Sequence, residues 1–350
     1  MELAALLILL ALLVGFTSIF VIDFVKRRKS EQKFHLRESL TAYGLLFPAL
    51  LLAFFFVILP IFFSLGYAFT DFDLLHPTEV KFIGFENFKM LAEEFKNKGA
   101  IYHSVRNTAI FVVLVVPLQI GLALLLALFC NNKRRGTTFF KICFFAPVAI
   151  SLSVTAYLWL VILSPNENGI MNSIIGRFGI GSKDFLGNPK TVLWWMVIMS
   201  AWQGCGYQML IFLSALGNVR KDLYEAARVD GANVFQRFFT VTLPGLKPTM
   251  VFILITVFIG ACRVMIQPML LTGYQIRSMT LSYYMYQQGF TYRHVGYSCS
   301  VALVMTIIMG TITFVQRKLL GEKKKRWFLK KKHWWEAILT LFLLKRARKR

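Results

Sequence analysis

Seven stretches of roughly twenty apolar residues, at about 3–25, 41–69, 108–130, 142–163, 192–216, 249–272 and 297–316, constrain this chain more than anything else in it. A helix rising 1.5 Å per residue crosses the ~30 Å hydrocarbon core of a bilayer in about twenty residues. Composition agrees: 57% of the 350 residues are hydrophobic, 16% are charged and the mean hydropathy is +0.59. That is far above the apolar share of a globular domain. The expected fold is an all-α membrane protein, a polytopic helical bundle.

Charge orients the bundle. Lys26-Arg27-Arg28-Lys29 follows the first span, and Lys133-Arg134-Arg135 with Lys141 lies between the third and fourth. Arg220, Lys221, Arg228, Arg237 and Lys247 lie between the fifth and sixth, and Arg317-Lys318 follows the last. All four clusters fall on one side if the N-terminus is outside, which makes that side cytoplasmic. The segments 71–107, 164–191 and 273–296 are then external. In the first span the charges follow the apolar run instead of preceding it, so it reads as a retained helix and not a cleaved leader.

The net charge of +23 raises the question of nucleic acid, but its distribution answers against it. About a third of the basic residues follow Arg317, in Lys323–Arg326, Lys330–Lys332 and Lys345–Arg350. Polybasic segments just inside a membrane bind anionic lipid, each basic residue contributing about 1 kcal/mol. Between them Trp334–Leu344 is too short to span and reads as an interfacial helix; the alternative is a solvated tail.

The connection from about Asn218 to Lys247 is too long to be only a link. Lys221–Ala227 is rich in helix formers, Asp230-Gly231 is a turn signal, and Asn233 is placed to cap a second helix carrying Phe235, Phe238 and Phe239. Pro244 is expected to end that helix and Pro248 to open the next span. Ala226 and Ala227 leave a surface with little bulk, flanked by Glu225 and Asp230, to which a partner can approach closely.

Glu225-Ala226-Ala227, Gly231, Val241 and Leu243-Pro244 stand at the spacing of the signature loop of ABC-importer permeases, which this chain resembles, with Val241 at the usual isoleucine. The resemblance extends from about Ala42 to Leu319. It includes Tyr67–Asp73, Phe82–Phe88, Asn107-Thr108, Pro117–Gln119, Phe144–Pro147, Trp159, Trp202–Met209 and Leu271–Gly273. It is nearest to carbohydrate-importing permeases of the maltose and glycerol-phosphate type, the first of their two homologous subunits. It implies a six-span core with one extra N-terminal helix, and a loop that docks on a separate ATPase. It also implies a second homologous permease and an extracytoplasmic solute-binding protein. The organisation expected is an extra helix at 1–29, a permease domain at 30–319 containing the coupling loop at 218–248, and a basic tail at 320–350. By the same resemblance, positions corresponding to Ser200, Gln203, Gly204 and Tyr207, and to Gly260, Ala261 and Val264, line the solute path. The last three are less polar here than in the maltose protein.

Polar side chains inside a span usually face a cavity or a partner helix. Ser200, Trp202, Gln203, Tyr207 and Gln208 form such a set. The aromatics suit either stacking on sugar rings or ordinary packing. Arg263 stands within the sixth apolar run, where a charge costs about 2.5–3.5 kcal/mol. Gln267 follows four residues later, on the same face if the helix is continuous. Arg263 either lines the cavity and meets an anionic or hydroxyl-rich solute, or pairs with an acid or helix carbonyls of a partner subunit.

No phosphate-binding glycine loop, metal-ligand spacing or nucleophile–base motif is present. The five histidines are dispersed, and the five cysteines stand singly in or beside apolar runs. The chain is therefore expected not to be an enzyme and to hold no metal or cofactor, ATP and magnesium belonging to the partner ATPase. The competing readings are a secondary carrier or channel, which would more naturally carry intramembrane acids, and a membrane enzyme, which would cluster acids or histidines at one interface.

Overall fold

The computed structural model describes residues 36–131, 136–273 and 275–320. The expected helix at 3–25, the clusters Lys26–Lys29 and Lys133–Arg135, and the tail from 321 onward lie outside the described residues. The chain divides into two compact units, residues 1–64 and 65–350.

In the first unit α1 (Leu36–Ala53) passes through one wide π-turn (Phe54–Ile58) into α2 (Leu59–Tyr67). The wide turn ends two residues before Pro60, whose missing N–H breaks the regular hydrogen-bond ladder. Gly44–Tyr67 is long and apolar enough to cross a bilayer.

The second unit is built on two helices, α4 (Ala100–Cys130) and α8 (Val192–Gly217). Before them, α3 (Glu86–Lys96) is a short amphipathic helix that the spans alone do not predict. On α4 the residues buried are Ile101, Ser104, Asn107, Thr108, Phe111, Val115, Gln119, Ala123, Ala127 and Cys130, three or four apart except for the adjacent pair Asn107 and Thr108, and therefore one face. Phe111 and Val115 join Val192, Met196 and Met199 in one core cluster. Ala123, Ala127 and Cys130 join Cys205, Met209, Phe212 and Leu216 in the next. The two helices thus run in the same direction along one another.

Small residues set how close the neighbours come. A Cβ on Gly206 would lie 2.2 Å from the backbone oxygen of Phe144 on α5 (Thr137–Ala149). A Cβ on Gly204 would lie 2.1 Å from Nε2 of Gln119. That nitrogen donates to Oε1 of Gln208 at 3.1 Å, a buried amide pair joining α4 to α8. Glycine here is what lets polar atoms meet across an apolar interface.

Two of the expected spans are not single helices. The run 142–163 bends by 99° between α5 and α6 (Leu152–Ile162). Pro147 stands in the last turn of α5, and Ser151 caps α6 by accepting from the backbone N–H of Val154. The run 249–272 stops at Cys262, and a separate short helix, α12 (Ile266–Leu271), follows. Arg263 is consequently the residue that terminates a helix, and it shares no continuous helix face with Gln267. The span at 108–130 starts earlier than its apolar residues suggest, at Ala100.

Between α6 and α8 lies the short helix α7 (Ile170–Gly176), and the connection after α8 begins with α9 (Lys221–Val229). Then comes α10 (Val234–Arg237), a π-turn at Phe238–Thr242 and α11 (Leu243–Cys262). Pro244 does not end the second helix: it lies in the first turn of α11, and Val234–Cys262 runs on as one 29-residue helical span. Proline is tolerated there because the π-turn has already displaced the ladder its N–H would complete. After α13 (Leu281–Tyr286) and a third π-turn, α14 (Val295–Leu320) closes the described chain.

At the end of the unit remote from α9, Glu94 of α3 accepts hydrogen bonds from the hydroxyls of Tyr284 and Tyr297, both at 2.7 Å. Asn87 donates to the carbonyls of Ala68 and Thr70 at 3.0 and 2.8 Å. These bonds hold α3 against the segment Ala68–Thr70, α13 (Leu281–Tyr286) and α14. Among the described residues there are no strands, only the isolated bridges Thr70 to Phe82 and Asp73 to His294.

The glycine contacts predict a graded series. Gly206→Ala meets backbone that no rotamer change relieves, and it is expected to cost about 1–3 kcal/mol. Gly204→Ala displaces only an amide side chain and costs less, while Gly260→Ala enters open space and is near neutral. Thermal unfolding of the detergent-purified protein should give midpoints in that order; a Gly206→Ala midpoint equal to wild type would contradict the close approach.

Candidate functional site

A cavity of about 970 Å³ lies among α4, α8, α14 and the two broken spans. That volume is at the upper end of small-molecule pockets, about 300–1,000 Å³. Of the residues singled out from the sequence, Ser200, Gln203, Gly204, Gly260, Ala261, Arg263, Val264 and Gln267 line it, together with Gln119, Gln208, Thr256 and Ser282. Met265, Met285, Met305 and Met309 supply an apolar, adaptable surface. Trp202 and Tyr207 do not line it. Trp202 packs edge-on against Trp159, centroids 6.2 Å apart. Tyr207 lies beyond the Gly206 crossing, in a separate groove with Phe145, Leu210, Asn218 and Thr249.

Both helix breaks face this cavity, and each solves the problem of its own unpaired backbone. Polar backbone at membrane depth is tolerated only where it is buried in protein or lines a wet cavity. At the first break Nε2 of Gln203 donates to the carbonyl of Ile150 at 3.1 Å and lies 3.2 Å from Oγ1 of Thr155. The donor half of Gln203 is therefore committed to the fold, and its carbonyl half makes no hydrogen bond among the described residues. At the second break Thr280 donates to the carbonyl of Val264 at 2.6 Å and Ser282 to that of Cys262 at 3.1 Å. The loop supplying those hydroxyls is fixed in turn by α4. Asn107 donates to the carbonyls of Ile276 and Met279, both at 3.0 Å, and Thr108 accepts from the backbone N–H of Leu281 at 2.8 Å. Ser200 donates to Oε1 of buried Gln267 at 2.7 Å, tying α8 to α12.

Arg263 is the single charged side chain among the lining residues. It is exposed to the cavity, and its backbone N–H bonds the carbonyls of Ile259 and Gly260.

The second site is the segment between α8 and α11. No side chain of α9 or α10 is buried. Gly231 takes φ +74°, a left-handed turn closed by the N–H of Ala232 on the carbonyl of Ala227 at 2.9 Å. Asn233 and Gln236 form a reciprocal capping box, each accepting from the other's backbone at 2.8 Å. Glu225, Ala226 and Asp230 are exposed and Ala227 half-buried, beside Val229, Val234 and Phe235, which are 88%, 70% and 78% exposed. Exposed apolar side chains around small ones make a surface suited to a partner. Arg220 pairs with Asp222 at the start of α9 and holds that carboxyl below the usual carboxylate range.

The segment is not loosely hung. The hydroxyls of Tyr224 and Thr242 lie 2.9 Å apart, and Val241 is buried, with Leu243 half-buried and Pro244 exposed. From Val234 the helix runs unbroken to Cys262, about 43 Å at 1.5 Å per residue, and ends at Arg263 in the cavity. One continuous helix therefore joins the exposed surface to the cavity wall.

Comparison with known proteins places this architecture. Residues 119–326 match the family described as binding-protein-dependent transport system inner membrane component. The chain is 34% identical over 299 residues to the probable ABC transporter permease protein YesP of Bacillus subtilis, covering 84% of this chain and 93% of that protein. It is 33% identical over 260 residues to the arabinooligosaccharides transport system permease protein AraP of the same organism, covering 73% and 81%. A solved bacterial alginate ABC transporter, in complex with its alginate-pentasaccharide-bound periplasmic protein, shares the fold, with a TM-score of 0.70, 22% identity and coverage of 81% of this chain and 95% of that one. The chain belongs to the inner-membrane permease subunits of binding-protein-dependent ABC importers.

Proposed function

We propose that this permease conducts a sugar, oligosaccharide or sugar derivative through the 970 Å³ cavity, and that a separate ATPase drives it by docking on residues 218–248. The observation that carries the reading is the 29-residue helix Val234–Cys262 with an exposed docking surface at one end and the cavity at the other. A rigid helix transmits displacement where a flexible loop would absorb it. ATPase movement at Glu225, Ala226, Ala227, Asp230 and Gly231 is thereby delivered past Leu243 and Pro244 to Gly260, Ala261 and the Arg263 break. The positive charge of Arg220, Lys221, Arg228, Arg237 and Lys247 supports a cytoplasmic position for this segment, and with it an external N-terminus and an internal C-terminus.

The named substrates of relatives support carbohydrate as the class: AraP is named for arabinooligosaccharides. The cavity chemistry suits it. Amides and hydroxyls of Gln203, Ser200, Thr256 and Gln208 offer hydrogen bonds, and methionines cover the C–H faces of a sugar ring. Among the described residues no acid lines the cavity to couple solute to an ion gradient, which favours an ATPase over a secondary carrier. The family description supports an extracytoplasmic binding protein as the donor of solute. A second homologous permease completes the path. The organisation into an extra helix at 1–29, a permease domain at 30–319 and a lipid-binding basic tail at 320–350 belongs to the same proposal.

Two outcomes test this. Glu225→Lys and Val229→Glu leave the helix intact, and each should lower co-purification of the ATPase about tenfold or more, because both alter the exposed docking face. Retention of the ATPase at wild-type stoichiometry in both would place the contact elsewhere. For the path, Ser200→Ala removes the bond to Gln267 and should slow ATP-dependent sugar uptake by roughly two- to tenfold, the loss of one buried hydrogen bond, while the amount of assembled complex is unchanged. Unaltered uptake would remove Ser200 from the path.

A further inference from the structure

The cavity holds a cation for which the fold has no use. An arginine at the end of a membrane helix ordinarily has structural work, because the last carbonyls carry partial negative charge and lack partners. Here those carbonyls are already satisfied: the backbone N–H of Arg263 donates to Ile259 and Gly260, that of Val264 to Ala261, and Ser282 to Cys262, while Thr280 serves the next free carbonyl, Val264. Among the described residues the guanidinium of Arg263 makes no hydrogen bond or ion pair, and no Asp or Glu lines the cavity. The side chain stays charged at any relevant pH and presents a planar fork of donors that fits an oxyanion in two parallel hydrogen bonds.

We infer that the solute carried through this cavity bears a carboxylate, as in a uronic-acid sugar, and that Arg263 reads it. The inference rests on the sugar-conducting reading of the cavity above. On this chain's side of the path, among the described residues, Arg263 stands without a lysine or second arginine beside it and balances a single negative charge. A phosphate monoester, at about −1.5 to −2, would be left undercompensated. Around the fork the cavity is neutral: the unpartnered carbonyl of Gln203 and the hydroxyl of Thr256 are suited to sugar hydroxyls, and the methionines to ring faces. The same charge accounts for discrimination. A neutral sugar entering the site leaves the guanidinium unpaired in a confined space, whereas a carboxylate pairs it.

The test uses the whole importer, with its ATPase, partner permease and binding protein, in proteoliposomes supplied with ATP. Uptake is measured for a panel of oligosaccharides, each as the uronate and as its carboxyl-reduced neutral counterpart, and for a sugar phosphate. Wild type should transport a uronate form faster than its neutral counterpart and faster than the sugar phosphate. Arg263→Gln should lower uronate uptake about ten- to a hundredfold and raise neutral uptake, because the unpaired charge that opposes a neutral sugar is gone, and Arg263→Lys should restore part of the uronate preference. Gly260→Asp places a carboxylate one turn from Arg263 in open space, and it should depress uronate uptake selectively. It carries the same comparison if Arg263→Gln does not assemble. Equal loss of both forms would overturn the inference and assign Arg263 to a partner-subunit acid. Faster neutral uptake by wild type would also overturn it while leaving the sugar-permease reading intact. Faster sugar phosphate uptake would overturn the carboxylate assignment. Failure to transport any sugar, with ATP hydrolysis intact, would remove the underlying reading and the inference with it.

Discussion

The close approach of α8 to its neighbours is what the rest of the structure depends on. Gly206 lets the backbone of Phe144 come within a distance that any Cβ would forbid, and Gly204 makes room for the Gln119–Gln208 amide pair. Hydrophobicity does not hold helices together in lipid, because the surrounding chains are as apolar as the helices are. Packing of small residues and buried hydrogen bonds must do it. With α8 seated on α4 and α5, its Ser200–Gln208 face is fixed as one wall of the cavity, and Gln203 is brought within reach of the Ile150 carbonyl.

From that framework the two broken spans follow. A helix interrupted at membrane depth exposes polar backbone, and each interruption here is answered by side chains from distant parts of the chain. Gln203 serves the break at Ile150, and Thr280 and Ser282 serve the break at Arg263. The breaks cost less where they face a cavity, and they give that cavity a polar wall that intact apolar helices would lack. The helix ending at Arg263 is the one that begins beside the exposed segment Lys221–Val229, so one element joins that surface to the cavity wall.

Much of this was legible in the residues. The apolar runs located the spans, the Asp230-Gly231 turn and the Asn233 cap appear where the local chemistry put them, and Glu225–Pro244 identified the family. The breaks were not legible, because apolar periodicity reports which side chains avoid water and is blind to whether the backbone beneath them is continuous. Pro147 was the one local hint at the first break. Nothing near Arg263 announces the second, which exists because Thr280 and Ser282 fold back to cap it from about twenty residues away. Polarity within a span says that a residue seeks a partner, and only packing shows that Trp202 lies against Trp159 and that Tyr207 faces a separate groove. The amphipathic helix Glu86–Lys96 did carry a signal, Phe88, Leu91 and Phe95 at helical spacing among charges, but its length falls below that of a span.

We propose that solute movement through the cavity is driven from the far end of the Val234–Cys262 helix. The most direct measurement of this is the nucleotide dependence of uptake in sealed vesicles carrying the assembled importer and its binding protein. ATP supplied on the side of residues 218–248 should drive concentrative uptake, and ATP on the opposite side, or an ion gradient alone, should give none. Uptake that continues undiminished without nucleotide would contradict the account.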